Sequence, residues 1–265
     1  MKEFDAYLKE FEKNVDSHIE ATIKEIKDFA TKNKITRFVI GMSGGVDCAL
    51  SSALVKKAGY EVIALTMPYE ENTSKQRVKG ISDAKKHCLK FDVPIYEVSI
   101  TNMVNELLRE QDKIKDHFNK YNGNEKMAKA NLLPRARMMN LYYVAQLVNG
   151  VVLGTGNLSE YTMGYFTKWG DGACDINPIA HLTCTEVIEL GDYLGLPYDL
   201  VHKTPADGLT GKSDEDNLGF TYKELDSLIK KFESPDYYIP VNQKERDMLS
   251  MHYNCFHKFN VITLE

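Results

Sequence analysis

The sequence has few cysteines and no long apolar run. Its 265 residues include five scattered cysteines, with no Cys-x-x-Cys pair among them. A disulfide framework or a structural zinc site is therefore not expected, and the thiols are interpreted as small buried side chains in a reducing compartment. No stretch approaches the roughly 18 apolar residues that a membrane-spanning helix needs. Segment 1–34 also lacks the apolar core of a signal peptide. We expect a soluble, cytoplasmic chain with no membrane partner.

An excess of basic residues is also missing. The chain carries 33 lysines and arginines against 38 aspartates and glutamates, a formal net charge of -5. A protein whose main partner is DNA or long RNA normally carries a basic surplus. The composition therefore argues against nucleic acid as the main partner, while a local basic patch stays open. With 43% hydrophobic and 27% charged residues, the chain matches neither a disordered nor a fibrous class.

Apolar periodicity predicts alternating helices and strands. An amphipathic helix is predicted over about residues 5–32, where apolar side chains recur every three or four positions. Short apolar runs predict strands at 37–42, 61–67, 94–98 and 151–155, and helices at 46–58, 74–90, 103–108, 135–146, 185–194 and 222–232. This alternation predicts an α/β fold with a Rossmann-like parallel sheet and helices on both faces. With no internal repeat or low-complexity linker, residues 1–265 are expected to form one domain.

The first predicted strand is followed by the loop Ser43-Gly44-Gly45-Val46-Asp47. Two glycines let backbone N–H groups approach a phosphate without an intervening Cβ, and the next helix directs the positive end of its dipole at the same place. Ser43 adds a hydroxyl donor, and Asp47 stands where a magnesium ion between phosphates could be held. The loop is neither a Walker sequence nor Gly-x-Gly-x-x-Gly. The alternative is an ordinary Gly-Gly turn, which leaves the flanking Ser and Asp unexplained.

The loop resembles the Ser-Gly-Gly-x-Asp-Ser signature of the ATP pyrophosphatases, which adenylate a substrate and release pyrophosphate. Cys48 departs from the signature, which has a second serine there. Because a thiol is a weak hydrogen-bond donor, we expect this position to bind phosphate chiefly through its backbone N–H. Ligands of parallel sheets bind beyond the carboxyl ends of the strands. Both this loop and the segment after Leu153 lie at such ends in the predicted sheet.

Further motifs narrow the resemblance. They are Asn131-Leu-Leu-Pro-Arg-Ala-Arg-Met-Met139, Gly154-Thr-Gly-Asn-Leu-Ser-Glu160, the segment 164–175, Lys203-Thr-Pro-Ala-Asp-Gly-Leu209 and the segment 213–220. In this order they resemble the ammonia-dependent NAD synthetases, over about residues 35–258. In that family ATP adenylates the carboxylate of nicotinic acid adenine dinucleotide (deamido-NAD), and ammonia then displaces AMP to give NAD. The resemblance also implies an adenine nucleotide alpha-hydrolase-like fold.

The resemblance implies a role for individual residues. ATP would be bound by Gly41, Met42, Ser43, Gly44, Gly45, Val46, Asp47, Cys48 and Thr155. Deamido-NAD would be held by Arg135, Lys168, Asp175, His257 and Lys258. Asp47 and Glu160 would be the magnesium ligands and, with Lys168, the catalytic residues.

These residue types suit the chemistry. Oxygen ligands suit Mg²⁺, and Arg and Lys suit a dianionic dinucleotide. No nucleophilic side chain is needed, because the substrate carboxylate and then ammonia attack. Three alternatives stay open: Glu160 as a solvated acid at a helix start, Arg137 instead of Arg135 as the substrate contact, and His257 as a structural residue.

Two positions depart from the family pattern. Cys184 stands where many relatives have a lysine, and Ala206 where many have a Ser or Thr that contacts ATP. If those groups steady the phosphates, other groups must replace them here. Three lysines could replace them, and the sequence does not decide which one does: Lys168, Lys203 and Lys212. The polar loop 204–217 is interpreted as a lid over ATP.

Partners and rival functions follow from the same resemblance. No room precedes the synthetase pattern for a glutaminase domain, so free or separately delivered ammonia is implied. The family is dimeric, so a homodimer is expected, and the N-terminal helix and the helix from Arg135 offer apolar faces for it or for packing within the monomer. One rival is another ATP pyrophosphatase, such as a tRNA-thiolating or GMP synthetase-like enzyme. The other is a regulator that binds ATP without turning it over, which would not need Glu160, Lys168 and Asp175.

Overall fold

Helices and four short strands alternate along the chain. The structure is a computed structural model that describes residues 2–69, 75–118, 120–203, 214–232 and 240–259. The strands are β1 Arg37–Gly41, β2 Glu61–Thr66, β3 Ile95–Glu97 and β4 Val151–Leu153. The helices are α1 Lys2–Lys13, α2 Val15–Asn33, α3 Val46–Lys57, α4 Lys75–Lys90, α5 Thr101–Asp112, α6 Glu125–Leu147, α7 Leu158–Met163, α8 Cys184–Tyr193, α9 Tyr198–Val201, α10 Asp214–Leu218, α11 Tyr222–Phe232 and α12 Gln243–Asn254. Short 3₁₀ helices cover Lys115–Phe118 and Phe256–Lys258.

The four strands form one parallel sheet in the order β3-β2-β1-β4. In its register Phe38 of β1 pairs with Val62 of β2 on one side and Val151 of β4 on the other. The chain thus builds outward from β1 to β3 and then returns to the opposite side of β1. This reversal opens a crevice between the carboxyl ends of β1 and β4, where ligands bind in open parallel sheets. All four predicted strands and their parallel arrangement are confirmed.

Helices cover both faces of the sheet. Phe38 and Ile40 of β1 belong to a core shared with α2, α3 and α8, whereas Val39 between them belongs to a second core with α5 and α6. Successive side chains of a strand point to opposite faces, so an unbroken apolar run is what a sheet buried on both sides requires. A third apolar cluster joins α7, α8, α11 and α12 beside the sheet. The predicted α/β class with two covered faces is confirmed.

The N-terminal segment is two helices, so the prediction of one helix over 5–32 is wrong in this respect. The break falls at Asn14, whose side-chain amide donates to the backbone carbonyl of Glu10 at 2.8 Å. Asparagine competes in this way with the helical ladder. Buried Phe11 and Val15 keep a spacing of four across the break, so periodicity alone could not detect it.

The long helix α6 begins ten residues before its predicted start at Arg135. Its first turn is capped by the Asn124 side chain, which accepts the N–H of Met127 at 3.0 Å. Pro134 lies inside the helix, although proline removes a backbone donor and normally ends or kinks a helix. Four helices, α7, α9, α10 and α12, were not predicted, because three of them are very short and the fourth is mostly polar.

Other expectations are tested only in part. Residues 204–213 of the predicted lid, together with Ala206 and Lys212, lie outside the described residues, and α10 occupies the end of that loop. None of the described helices combines the length and apolar character needed to cross a bilayer. The five cysteines all lie among the described residues and are all free thiols.

Candidate active site

The loop after β1 is shaped to receive an anion. Gly45 is the N-cap residue of α3 and has no side chain that could cap the first turn of that helix. The Ser43 hydroxyl lies within the loop and accepts the N–H of Gly45 at 3.3 Å. The N–H of Met42 donates to Leu65 of β2 at 2.8 Å, so it is unavailable to a ligand. The first N–H groups of α3, with the helix dipole behind them, are the donors left for a phosphate.

Two glycines from different elements meet behind this loop. Gly44 has a φ of +81°, and a Cβ built on it would lie 2.1 Å from the carbonyl oxygen of Gly80 in α4. A Cβ on Gly80 would in turn lie 2.8 Å from the carbonyl oxygen of Ser43. The loop therefore packs on α4 backbone against backbone. The sequence supplied one reason for glycine at position 44, and the structure adds a second.

The side chain of Cys48 contacts other residues of the same loop. Its thiol is buried and donates to the carbonyl oxygen of Gly45 at 3.2 Å, with the Ser43 hydroxyl 3.4 Å away. The side chain is therefore occupied by contacts within the loop. Phosphate binding through the backbone N–H of Cys48 remains a prediction.

Asn157 connects the two acidic residues that the sequence pairs as metal ligands. Its side-chain amide donates to Asp47 at 2.9 Å, and its side-chain oxygen accepts the N–H of Glu160 at 3.0 Å. The Glu160 carboxylate accepts the backbone N–H of Asn157 at 3.0 Å, which completes a capping box at the start of α7. A single buried amide thus links the loop after β1 to the loop after β4.

The sequence contained a signal for this arrangement, because Asn-x-x-Glu is a capping-box pattern, but Asn157 was not predicted as a site residue. Glu160 does start a helix, as the open alternative supposed, yet it is half-buried and its carboxylate accepts the backbone N–H of Asn157. Burial raises the pKa of the Asp47 carboxyl above its usual value, and the hydrogen bond from Asn157 opposes that rise.

The two carboxylates fit a magnesium ion that completes its shell with phosphate. Within the described ranges, no three His, Cys, Asp or Glu side chains form a cluster that would hold a metal alone. Magnesium is commonly bound through one or two carboxylates plus substrate phosphates and water. Asp47 and Glu160, held on either side of Asn157 and beside an anion-binding loop, supply such a donor set.

Helix α7 is supported from behind by a buried carboxylate. Asp226 of α11 accepts hydrogen bonds from the Ser159 hydroxyl and from both the N–H and the hydroxyl of Thr185, the latter two at 2.8 and 2.6 Å. Ser159 also accepts the N–H of Cys184 at 2.9 Å. Asp226 therefore ties α7, which carries Glu160, to the start of α8.

Asp226 should make stability depend on pH. Its burial raises the pKa to about 6, against 3.8 for the free side chain. A raised carboxyl pKa stabilises the folded state below pH 3.8, and this contribution is lost as pH rises through 6. We expect the difference in unfolding free energy between parent and Asp226→Asn to be largest near pH 4 and to fall by up to about 3 kcal/mol by pH 7. Urea unfolding at both pH values measures it. The exposed Asp28→Asn variant is the control, and a pH-independent difference for Asp226→Asn would contradict the assignment.

Three of the predicted substrate residues are joined by hydrogen bonds. The Nε of Arg135 donates to the carbonyl oxygen of Lys168 at 3.3 Å, and the Lys168 ammonium donates to the carbonyl oxygen of His257 at 2.6 Å. The same ammonium lies 5.3 Å from the ring of Trp169, which has a φ of +60°, a rare value for a bulky residue. The alternative Arg137 points elsewhere and donates to the carbonyl oxygen of Met67 after β2.

The remaining predicted residues have structural contacts. The Lys258 ammonium donates to the carbonyl oxygens of Gly164 and Phe166 at 2.6 and 3.0 Å, and its burial lowers its pKa. Asp175 accepts the backbone N–H of Val152 in β4 at 2.7 Å. Thr155 is half-buried two residues after β4.

The fold and the loop define the class of this protein. A parallel sheet that places a Ser-Gly-Gly-x-Asp loop and a second acid at its switch point is a nucleotide-binding α/β fold of the adenine nucleotide alpha-hydrolase type. The chain belongs to the NAD synthase family, because the sequence model of that family matches residues 18–256. The enzymes of this family are ligases that take part in NAD biosynthesis, which confirms the resemblance found in the sequence.

Relatives agree with this membership. An NH(3)-dependent NAD(+) synthetase from Carboxydothermus hydrogenoformans is 36% identical over 82% of this chain and 86% of its own length. The protein of the same description from Mycoplasma genitalium is 35% identical over 88% of each chain.

Two similar solved structures are of enzymes with different names. An NMN synthetase from Francisella tularensis matches with a TM-score of 0.83 and 31% identity over 95% of this chain and 98% of its own. An NH3-dependent NAD synthetase from Campylobacter jejuni matches with a TM-score of 0.75 and 25% identity over 95% of this chain and 99% of its own.

Proposed function

We propose that this protein uses ATP to amidate deamido-NAD with ammonia, giving NAD, AMP and pyrophosphate. The observation that carries the proposal is the hydrogen-bonded link Asp47–Asn157–Glu160 across the switch point of the sheet. It joins an anion-binding helix start to a second acid, which is what adenylation by ATP requires and what simple nucleotide sensing does not. The family and the names of the relatives supply the acceptor.

The reaction divides into two substitutions. A carboxylate oxygen of deamido-NAD forms a bond to the α-phosphorus of ATP, and the bond to the bridging oxygen breaks with its electron pair passing to pyrophosphate. The α3 N–H groups and Ser43 bind and orient that leaving group. Magnesium, when held by Asp47 and Glu160, would neutralise phosphate charge. Ammonia then forms a bond to the acyl carbon and AMP departs.

The hydrogen-bonded residues Arg135, Lys168 and His257 suit the acceptor, deamido-NAD. Arg135 and Lys168 lie within one hydrogen-bonded chain, so both can face the two negative charges of a dinucleotide. Lys258 contributes indirectly, because its ammonium holds the 164–166 segment that precedes Lys168. His257 contributes its backbone carbonyl to Lys168.

A second acceptor is favoured by one observation. The NMN synthetase structure is more similar to this chain than the Campylobacter NAD synthetase structure, with a TM-score of 0.83 against 0.75. Nicotinic acid mononucleotide carries the same carboxylate on the same ring, and amidation of it would use the same loop and acids. It lacks the second nucleotide, so the acceptor side of the site would decide between the two compounds.

One assay tests both candidates. Purified protein is mixed with ATP, Mg²⁺ and ammonium chloride plus either deamido-NAD or nicotinic acid mononucleotide, and AMP, NAD and NMN are separated by chromatography. Equal amounts of AMP and NAD, with a higher kcat/KM for deamido-NAD, support the first proposal. A higher kcat/KM for the mononucleotide supports the second. Absence of both products would contradict both.

We also propose that the protein is a homodimer that associates through α6. One face of this helix is buried on the sheet, whereas Met139, Tyr143 and Leu147 are exposed by 59%, 64% and 67%. Their spacing of four places them in one stripe. An apolar stripe of this kind marks an interaction surface, and a two-fold dimer would cover both copies at once.

Introducing a charge into this stripe should separate the subunits. We expect Tyr143→Glu to convert the dimer to a monomer at micromolar concentration, because a carboxylate would be buried without a partner. Sedimentation velocity measures the change. Leu89→Glu is the matched control, since Leu89 is 86% exposed on α4 and outside the stripe. A parent protein that sediments as a monomer, or a Tyr143→Glu variant that remains dimeric, would refute this interface.

A further inference from the structure

Lys203, one of the three lysines that the sequence offered as a replacement cation, lies beside the loop after β1, which is called the phosphate loop below. Lys203 follows α9, and a Cβ built on Gly80 would lie 3.7 Å from its ammonium and 2.8 Å from the carbonyl oxygen of Ser43. One point on α4 therefore borders both the loop and this cation. The loop itself carries an acid, Asp47, and no basic residue.

Lys203 forms a long ion pair with a buried acid. Asp83 of α4 is 4% exposed, and its Oδ2 lies 3.6 Å from the Lys203 ammonium. That distance exceeds a hydrogen bond, and Oδ2 receives no hydrogen bond from the part of the chain that the structure describes. A buried carboxylate oxygen is normally satisfied. This pair is therefore a weak contact that a better anion can replace.

We propose that Lys203 contacts the pyrophosphate part of ATP and that Asp83 is its partner only in the free protein, which the phosphate oxygens replace. A lysine has three donors on a flexible four-carbon stem, so a short rotation can carry it from Asp83 to phosphate oxygens. There it neutralises the charge that reaches the β-phosphate as its bond to the α-phosphorus breaks. Lys203 thereby supplies the cation that a loop without a Walker lysine lacks.

Of the other candidate positions, two that lie among the described residues are less suited to this role, and Lys212 lies outside them. The Lys168 ammonium donates to the carbonyl oxygen of His257, and both belong to the residues predicted to hold deamido-NAD. At position 184, where the family pattern has a lysine, the buried Cys184 thiol carries no charge. Among the candidate lysines that the structure describes, Lys203 is the one that lies near the loop and has a replaceable partner.

Pyrophosphate binding to the full-length protein tests the proposal directly. The proposal rests on the proposed function only for ATP as the nucleotide, so binding is measured by calorimetry with pyrophosphate and Mg²⁺, without any acceptor. We expect Lys203→Met to weaken pyrophosphate and ATP binding by about 10- to 100-fold, the loss typical of a charged hydrogen bond. AMP binding should stay within twofold, because AMP lacks the β-phosphate.

Further variants separate ligand binding from a structural ion pair. Asp83→Asn should leave pyrophosphate binding unchanged or tighter, since it removes the competing anion. Lys85→Met, which removes an exposed α4 lysine paired with Glu97, is the control and should bind normally. If Lys203→Met does not fold, Lys203→Gln, which can still donate to Asp83, replaces it. Normal pyrophosphate binding by the Lys203 variant, or equal losses in the Lys203 and Asp83 variants, would overturn the proposal. A failed synthesis assay with this binding pattern intact would overturn the acceptor assignment alone.

Discussion

Replacing Asp47 with Asn, or Glu160 with Gln, is expected to lower kcat on the order of 10²- to 10³-fold, the range for removing one charge-stabilising group from an active site. Both carboxylates accept hydrogen bonds from Asn157, Asp47 from its side-chain amide and Glu160 from its backbone N–H. Each variant removes a negative charge that magnesium would need. Steady-state rates measured over a range of Mg²⁺ concentrations should show a higher metal requirement as well as the lower kcat.

Neither variant should unfold the protein, which makes the rates interpretable. Asn at position 47 can still accept from Asn157, and Gln at position 160 can still complete the capping box. Glu224→Gln is a matched control, because Glu224 fills the equivalent capping position with Thr221 at the start of α11. It should retain parental activity. Near-parental rates for both Asp47→Asn and Glu160→Gln would remove the metal-ligand assignment.

Gly44→Ala is expected to abolish measurable ATP binding. Its φ of +81° costs an L residue roughly 1–2 kcal/mol, and the added Cβ would lie 2.1 Å from the carbonyl oxygen of Gly80. Either the loop or α4 must then move. A displacement near 1 Å at a positioned site costs about 10²-fold in rate. Calorimetric titration with ATP and Mg²⁺ measures the loss of binding, and thermal unfolding measures the strain.

Gly59 provides the comparison that isolates the clash. Its φ is +93°, and a Cβ there would meet nothing within 4 Å. Gly59→Ala should therefore lower the unfolding free energy by a similar 1–2 kcal/mol while leaving ATP affinity and kcat within twofold. If both variants lose ATP affinity alike, backbone strain and not the contact with Gly80 explains the effect.

Local sequence signals were sufficient for the sheet and for the phosphate loop. Buried parallel strands are short apolar runs, so β1 to β4 could be located without knowledge of their neighbours. The predicted sheet also placed Asp47 and Glu160 beyond the carboxyl ends of β1 and β4, and the observed strand order makes these two strands neighbours.

What the sequence did not predict depends on contacts between distant residues. The facing of Gly44 and Gly80, the support of α7 by Asp226, and the pairing of Lys203 with Asp83 have no periodic pattern that would reveal them. The break at Asn14 was hidden for the opposite reason, because the apolar spacing continues through it. Lys258 was assigned from resemblance alone, and its contacts with backbone carbonyls could not be inferred from its neighbours in sequence.

Hydrogen bonds join residues 257 and 258 to the 164–168 segment, so these contacts form only after the later residues are synthesised. The phosphate loop leaves the ribosome roughly 200 residues earlier, which at about 5–20 residues per second is a delay of some 10–40 s. The last strand, β4, ends at Leu153, so all four strands are synthesised before residues 257 and 258. The segment 164–168 is thus fixed in place later than the sheet and the loop after β1.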